Sequence, residues 1–187
     1  MADKRKRIPA AGAATTKRPP IPLEKIVSGG QTGADRAALD FALAHDIPHG
    51  GWCPRGRLAE DGMLETHYAL RETPDPEYPQ RTEWNVRDSD GTVIFSIAPE
   101  LTGGSKLTAE FAARHGQPWL HLSQQTHGDT AAERLREFVQ QHEIRVLNVA
   151  GPRASHEPAV PRFVLQTLEE LFKVPKSRSR KWGRYAS

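Results

Sequence analysis

The chain has 187 residues, enough for one well-buried domain with tails and too few for a second full domain. Apolar residues make up 37% and include four Trp, which excludes global disorder, and no apolar stretch approaches the roughly 20 residues of a membrane-spanning helix. The pI of 9.2 belongs to the ends. Residues 1–18 hold six Lys or Arg against one Asp and residues 173–187 hold six and no acid, so positions 19–172 keep 14 basic against 22 acidic residues, a net charge of −8.

An acidic body lacks the basic face of a duplex-binding protein. The tails read as solvated, disordered ends that hold nucleic acid only weakly, by counterion release. The charged N-terminus is followed by no apolar signal-peptide core, and the single Cys53 forms no internal disulfide; both point to a reducing, cytoplasmic location.

A basic, Pro-rich tail over 1–22 ends in Pro19-Pro20-Ile21-Pro22, and the expected domain spans 23–173 with a second basic tail over 174–187. A short strand at Lys25–Ser28 runs into glycines and then a helix from Gly33 to about His45. Thr32 reads as its N-cap with Asp35 three residues on, and Ala34, Ala37, Ala38, Phe41 and Ala42 form its apolar stripe. Residues 53–91 are polar and Pro-rich, long for a connection, and read as a functional insert. Thr92–Ile97 is a continuous β-branched and aromatic run, the mark of a strand buried on both faces, and a helix follows over about Ser105–Arg114. Further elements are a strand at Pro118–Leu122, a helix from Thr130 with the capping pattern Thr-x-x-Glu at Glu133, and a strand at Arg145–Val149. The last helix ends near Phe172, with Pro158 and Pro161 in its first turn and a stripe of Val160, Val164, Leu168 and Leu171. Strands alternating with helices imply an α/β fold, a Rossmann-like three-layer α/β/α sandwich on a mostly parallel sheet.

Three glycine turns follow strands. The first, Gly29-Gly30-Gln31-Thr32-Gly33-Ala34-Asp35, suits an anion because glycines let backbone amides approach it and a helix N-terminus lies behind. It is neither GxGxxG nor a Walker A loop. The second, Thr102–Thr108, offers Gly103, Gly104, Ser105 and Thr108, with Lys106 as a point charge; the third carries Gly151, Arg153 and Ser155. Ligands of open α/β sheets sit at the carboxyl ends of strands near a topological switch, so the three turns are expected to converge. The insert adds Arg55 and Arg57 around a glycine, then Arg81, Asn85 and Asp88, the last a heterocycle acceptor or a turn cap. Asp90-Gly91 reads as a turn, and Cys53 as a small buried hydrophobe. The eight His show no metal-ligand spacing, so no protein-ligated metal is expected, and no nucleophile, base and metal set marks a catalyst.

GGQTGAD (29–35), GWCPRGRLAEDG (51–62), RTEWNVRDSDGT (81–92), GGSKLT (103–108) and LNVAGPRAS (147–155) together resemble the molybdenum carrier family. That family is a circularly permuted branch of the SLOG, lonely-guy-like superfamily of Rossmann proteins. LNVAGPRAS looks like the first strand and phosphate turn of unpermuted relatives, moved to the C-terminal side. The resemblance implies a homo-oligomeric carrier, a dimer or tetramer, that binds the molybdenum cofactor (molybdopterin), a pterin with a terminal phosphate, and passes it to molybdoenzymes or cofactor-synthesis proteins. It implies anion contacts at Gly30, Thr32, Gly33, Gly104, Ser105, Thr108, Gly151, Arg153 and Ser155, with Arg55, Arg57 and Asn85 from the insert. Gly29, Asp35, Arg81, Asp88 and Gly103 complete the candidate ligand-binding set read from the residues. The rival is a nucleoside-monophosphate phosphoribohydrolase or a nucleotide-derived ligand sensor of the same superfamily. Against the hydrolase pattern PGGxGTxxE this chain reads TGGSKLTAE over 102–110: Glu110 falls in register, but Lys106 and Leu107 replace the Gly and Thr.

Overall fold

The computed structural model describes residues 21–173. Apart from residues 21 and 22, the tails expected over 1–22 and 174–187 lie outside the described residues. In chain order the elements are β1 (Lys25–Val27), α1 (Ala34–Ala44), β2 (His49–Cys53), β3 (Leu58–Ala59), β4 (Gly62–Met63), β5 (Leu70–Glu72), α2 (Tyr78–Arg87), β6 (Gly91–Ser96), α3 (Gly103–Arg114), β7 (Trp119–Ser123), α4 (Gln124–His127), α5 (Ala131–Gln141), β8 (Val146–Ala150) and α6 (Val160–Phe172).

Six strands form one parallel sheet in the order β5-β2-β1-β8-β6-β7; β3 and β4 make a separate antiparallel hairpin. The chain steps outward from β1 to β2 and β5, crosses over to β6 and β7, and returns last to β8 in the middle. The sheet is therefore a Rossmann-like α/β fold whose direction of travel reverses between β1 and β8, the kind of place where such sheets open a ligand crevice.

One face carries the larger core. Phe41 of α1, Leu135 and Val139 of α5, and Val160, Val164, Leu168 and Leu171 of α6 pack there on Ile26, Val93, Phe95, Leu147 and Val149. The alanine stripe of α1 is buried as its spacing predicts. Its small side chains let the helix come close: a Cβ on Gly151 would lie 2.6 Å from the Ala34 Cβ. The opposite face is covered by α2 and α3 through Val86, Leu107, Phe111 and Ala112. Because β6 is buried on both sides, its alternate residues serve both layers: Val93 and Phe95 join the larger core, while Thr92 accepts a hydrogen bond from Asn148 at 3.1 Å.

The segment 53–91 is a structured part of the fold. It supplies the edge strand β5, paired in parallel with β2, and the helix α2. A small cluster of Leu39, Cys53, Leu64, Tyr68 and Leu70 seals that end, and burial pushes the Cys53 thiol above its usual range. Two expected caps are not formed. Gly33, at φ 86°, precedes α1, while Asp35 accepts from the Gln31 amide at 3.3 Å. Thr130 precedes α5, but its hydroxyl donates to the His127 carbonyl at 2.8 Å, completing the turn before the helix. At Thr130 a local carbonyl takes the hydroxyl, and at Thr32 it is taken by Glu60 and the Ala154 amide from elsewhere in the chain.

Candidate functional site

The turns that follow β1, β8 and β6 lie side by side because the three strands are neighbours. Two interlock through backbone. The Ala34 amide donates to the Pro152 carbonyl at 3.3 Å, and a Cβ on Gly33 would stand 2.3 Å from that oxygen. Gly33 combines this contact with a positive φ, so a side chain is excluded twice over. Above the joined turns opens a cleft of about 500 Å³, within the range of small-molecule sites.

The floor of the cleft is made by Gln31, Asp35 and Ala150–Arg153, one wall by the start of α3 from Thr102 to Thr108, and the other by α2 through Tyr78, Arg81 and Thr82. Asn85 holds α2 in place. Its Oδ1 accepts from the Trp52 amide at 2.8 Å and its Nδ2 donates to the Trp52 carbonyl at 2.8 Å, fastening the helix to β2. Arg81 then projects to Asp35, with Nη1 3.0 Å from Oδ2. Asp35 is 2% exposed, and burial raises its pKa, opposed by the Arg81 charge and the Gln31 amide. The Tyr78 ring lies near two cations, 5.7 Å from the Arg81 guanidinium and 5.3 Å from that of Arg153.

The cleft presents unused donors. The amides of Gly103 and Gly104 at the start of α3 have no acceptor within the helix and carry the positive end of its dipole, whereas those of Ser105 and Lys106 donate to the Thr102 carbonyl at 3.1 and 3.2 Å. A Cβ on Gly103 or Gly104 would meet no protein atom within 4 Å, so the room they leave opens outward. Gln31 is 6% exposed; its Oε1 accepts from the amides of Thr32 at 3.0 Å and Glu60 at 2.9 Å, which fixes the orientation of its amide group. Its Nε2 is buried with no hydrogen-bond partner, as is Arg81 Nε.

The structure brings Asp35, Arg81, Gly103, Gly104, Ser105, Thr108, Gly151 and Arg153 to the cleft. The Thr108 hydroxyl is engaged with the Gly104 carbonyl at 2.9 Å. Gly29 lies directly behind the Arg81 guanidinium, and Gly30 packs against Leu64 and Leu70. Thr32 and Ser155 stand at the rim, where both contact Glu60. The other insert residues are placed elsewhere. Arg57 donates to the carbonyls of Leu64, Leu70, Glu65 and Tyr68, so its guanidinium is a structural clasp. Arg55 is exposed outside the cleft, Asn85 is used as described, and Asp88 accepts from Trp52 Nε1 at 2.8 Å and from Arg87. Asp88 is held below its ordinary carboxylate range, chiefly by Arg87. Asp90 accepts from the amides of Arg145 and Val146, joining the start of β8 to β6.

Thr82, from the polar insert, also lines the cleft, as do Gln31, Tyr78, His156 and Glu157, which were not singled out from the sequence. Gln31 stood inside the first motif, and that position was its only signal. Among the described residues no three His, Cys, Asp or Glu side chains gather as a metal site, and no helix is long and apolar enough to cross a membrane.

Comparison with known proteins agrees with this fold. The Circularly permutated YpsA SLOG family matches residues 26–172. A crystal structure from Syntrophus aciditrophicus SB, of a protein named "Putative molybdenum carrier protein", is 48% identical, with a TM-score of 0.78 over 81% of this chain and 96% of that one. No curated protein matches. The resemblance read from the five motifs is thereby shown, and the late return of β8 to the sheet centre accords with a permuted order: the chain belongs to the Circularly permutated YpsA SLOG family.

Proposed function

We propose that this protein is a carrier that holds a phosphorylated, pterin-type ligand, the molybdenum cofactor, in the cleft over β1, β8 and β6. The observation that carries the reading is the set of unused donors at that cleft: the Gly103 and Gly104 amides with open space before them, and the orphaned Nε2 of Gln31, a buried residue of the cleft lining. A terminal phosphate fits the α3 N-terminus, where amides and dipole favour a dianion. Arg153 supplies a further cation, and Gln31 Nε2 suits an acceptor on the heterocycle. The cofactor, when bound, supplies molybdenum chemistry to whichever enzyme receives it; the residues of this chain bind, orient and shelter it.

The carrier role is supported by the 48% identical relative and its name. A single ligand-binding domain over 23–173 with basic tails, a cytoplasmic location, assembly as a homo-oligomer, and hand-over to molybdoenzymes or cofactor-synthesis proteins belong to the same reading. Glu110, the residue in register with the hydrolase motif, is exposed on α3 and does not line the cleft, which favours carrying over base cleavage.

Anaerobic purification followed by mass spectrometry and metal analysis of the released ligand is the direct test. The expected result is a phosphorylated pterin with molybdenum. A preparation that holds neither pterin nor nucleotide, and shows no thermal shift with a pterin monophosphate or with nucleoside monophosphates, would overturn the reading. So would release of free base from a nucleoside monophosphate.

A further inference from the structure

Beside the cleft, four donors converge on a carboxylate of the chain itself. The Ser155 hydroxyl donates to Glu60 Oε2 at 2.6 Å, the Ser155 amide donates to Oε1 at 3.3 Å, and the Thr32 hydroxyl also donates to Oε1. Arg153 Nη1 stands 3.8 Å from Oε2. Thr32 is itself held in place by the Ala154 amide, which donates to its Oγ1 at 3.2 Å. Two hydroxyls and an amide bonded to the two carboxylate oxygens, with a guanidinium at ion-pair distance, make an oxyanion cradle. Arg153 lines both this cradle and the cleft, so the two are continuous.

The residue in the cradle arrives on a lightly packed hairpin. β3 and β4 are two residues each, and their paired apolar side chains, Leu58 and Met63, are 52% and 74% exposed. The base of the hairpin is tied by Arg57 to four backbone carbonyls. Its tip is held by Glu60, by the Glu60 amide on Gln31 Oε1, and by an exposed Asp61–Arg36 pair at 3.1 Å. Exposed ion pairs contribute little, and a segment with few apolar contacts opens locally at low cost.

The geometry points to a latch: Glu60 closes an oxyanion site made by Thr32, Ser155 and Arg153, and a phosphate-class dianion displaces it and opens the hairpin over 58–63. A tetrahedral dianion brings more charge and more acceptor oxygens to the same four donors than a carboxylate does. Gln31 links the hairpin to the cleft, because its Oε1 accepts from the Glu60 amide and the residue itself lines the cleft. This inference rests on the cleft being the site of a phosphate-bearing ligand, and it adds that the apo protein blocks part of that site with its own side chain.

The test is titration of the full chain with inorganic phosphate, followed through the backbone amides by proton–nitrogen NMR, in the wild type, in Glu60→Gln and in Glu60→Gln with Ser155→Ala. The expected result is a saturable shift of the Ser155 amide in the wild type. Binding should tighten by about tenfold in Glu60→Gln as the internal competitor weakens, and the gain should be lost in the double variant. Equal phosphate affinity in wild type and Glu60→Gln overturns the latch. If phosphate moves the amides of Gly103 and Gly104 and leaves Ser155 unmoved, the latch falls and the cleft reading stands. If it moves none of them, both fall.

Discussion

The guanidinium of Arg81 reaches Asp35 by crossing the bare Cα of Gly29. Nη1 is 3.0 Å from the Asp35 carboxylate, and a Cβ on Gly29 would lie 1.8 Å from the same nitrogen. The glycine pair that opens the first motif is thus partly a passage for an arginine from a later helix. That arginine ties α2 to the start of α1 and sets one wall of the cleft.

Gly29→Ala is therefore expected to act through Asp35. Arg81 is long enough to move aside, but the carboxylate would then stay buried without its cation. Breaking a buried pair on one side costs about 3 kcal/mol. Urea unfolding should show a loss of that order, and Arg81→Met should show a similar one. A Gly29→Ala protein within about 0.5 kcal/mol of wild type, the range of a neutral surface change, would refute the account.

Gly104 should behave in the opposite way. It lies in α3 and a Cβ there meets no protein atom, so Gly104→Ala is expected to raise stability by up to about 1 kcal/mol through helix propensity. The same methyl would stand where the proposed phosphate approaches. Thermal unfolding should rise while affinity for a pterin monophosphate falls by about tenfold, a loss of about 1.4 kcal/mol. Unchanged affinity would mean that the open space in front of Gly104 is not used by the ligand.

Much of this was legible in the residues, and the exceptions have physical causes. β6 and β8 announce themselves through β-branched residues, and α1 and α6 through stripes whose members are buried as spaced. β2 did not, because its sequence, HGGWC, has two glycines and no β-branched residue. α2 was hidden as well: it buries only Asn85 and Val86, and its value lies in the polar contacts of Asn85 and Arg81. The convergence of the three turns followed from parallel topology alone. What individual polar side chains do inside the site did not follow, since that depends on partners brought from elsewhere. Arg57 resembles an anion clamp until four carbonyls from residues 64–70 are seen around it. Gln31 carries no mark beyond its place in the first motif, and its role is set by the hairpin that Glu60 occupies.

Gln31→Glu tests whether the ligand rests on Gln31. The glutamate keeps an acceptor for the amides of Thr32 and Glu60, so the turn and hairpin remain held. It removes the buried, unpaired Nε2 donor of a residue that lines the cleft, and it adds a negative charge to a site proposed to receive a phosphate. Calorimetric titration with a pterin monophosphate is expected to show at least a tenfold loss, about 1.4 kcal/mol. Unfolding measured in parallel should show a loss, because the new charge is buried close to Asp35, so affinities are compared under conditions where both proteins are folded. Retained affinity would show that the ligand does not rest on Gln31.

Glu60 also leaves a signature in pH. Hydrogen bonds from Ser155 first and Thr32 second hold its carboxyl below the ordinary value of 4.5. A carboxyl depressed in the folded state stabilises the fold at pH values above its unfolded value, and that contribution disappears as pH falls through the folded value. The difference in unfolding free energy between wild type and Glu60→Gln should therefore favour the wild type at neutral pH. For a pair at the surface that difference is at most about 1 kcal/mol. It should shrink as pH drops from about 5 toward 3, across the ordinary value and below it. Asp35, whose pKa is raised by burial, gives a slope of the opposite sign, but it is common to both proteins and cancels in the difference. A difference that stays constant down to pH 3 would mean that the four donors do not distinguish the charged carboxylate from a neutral amide, and the hairpin would then be held by Arg57, Gln31 and the Asp61–Arg36 pair without Glu60.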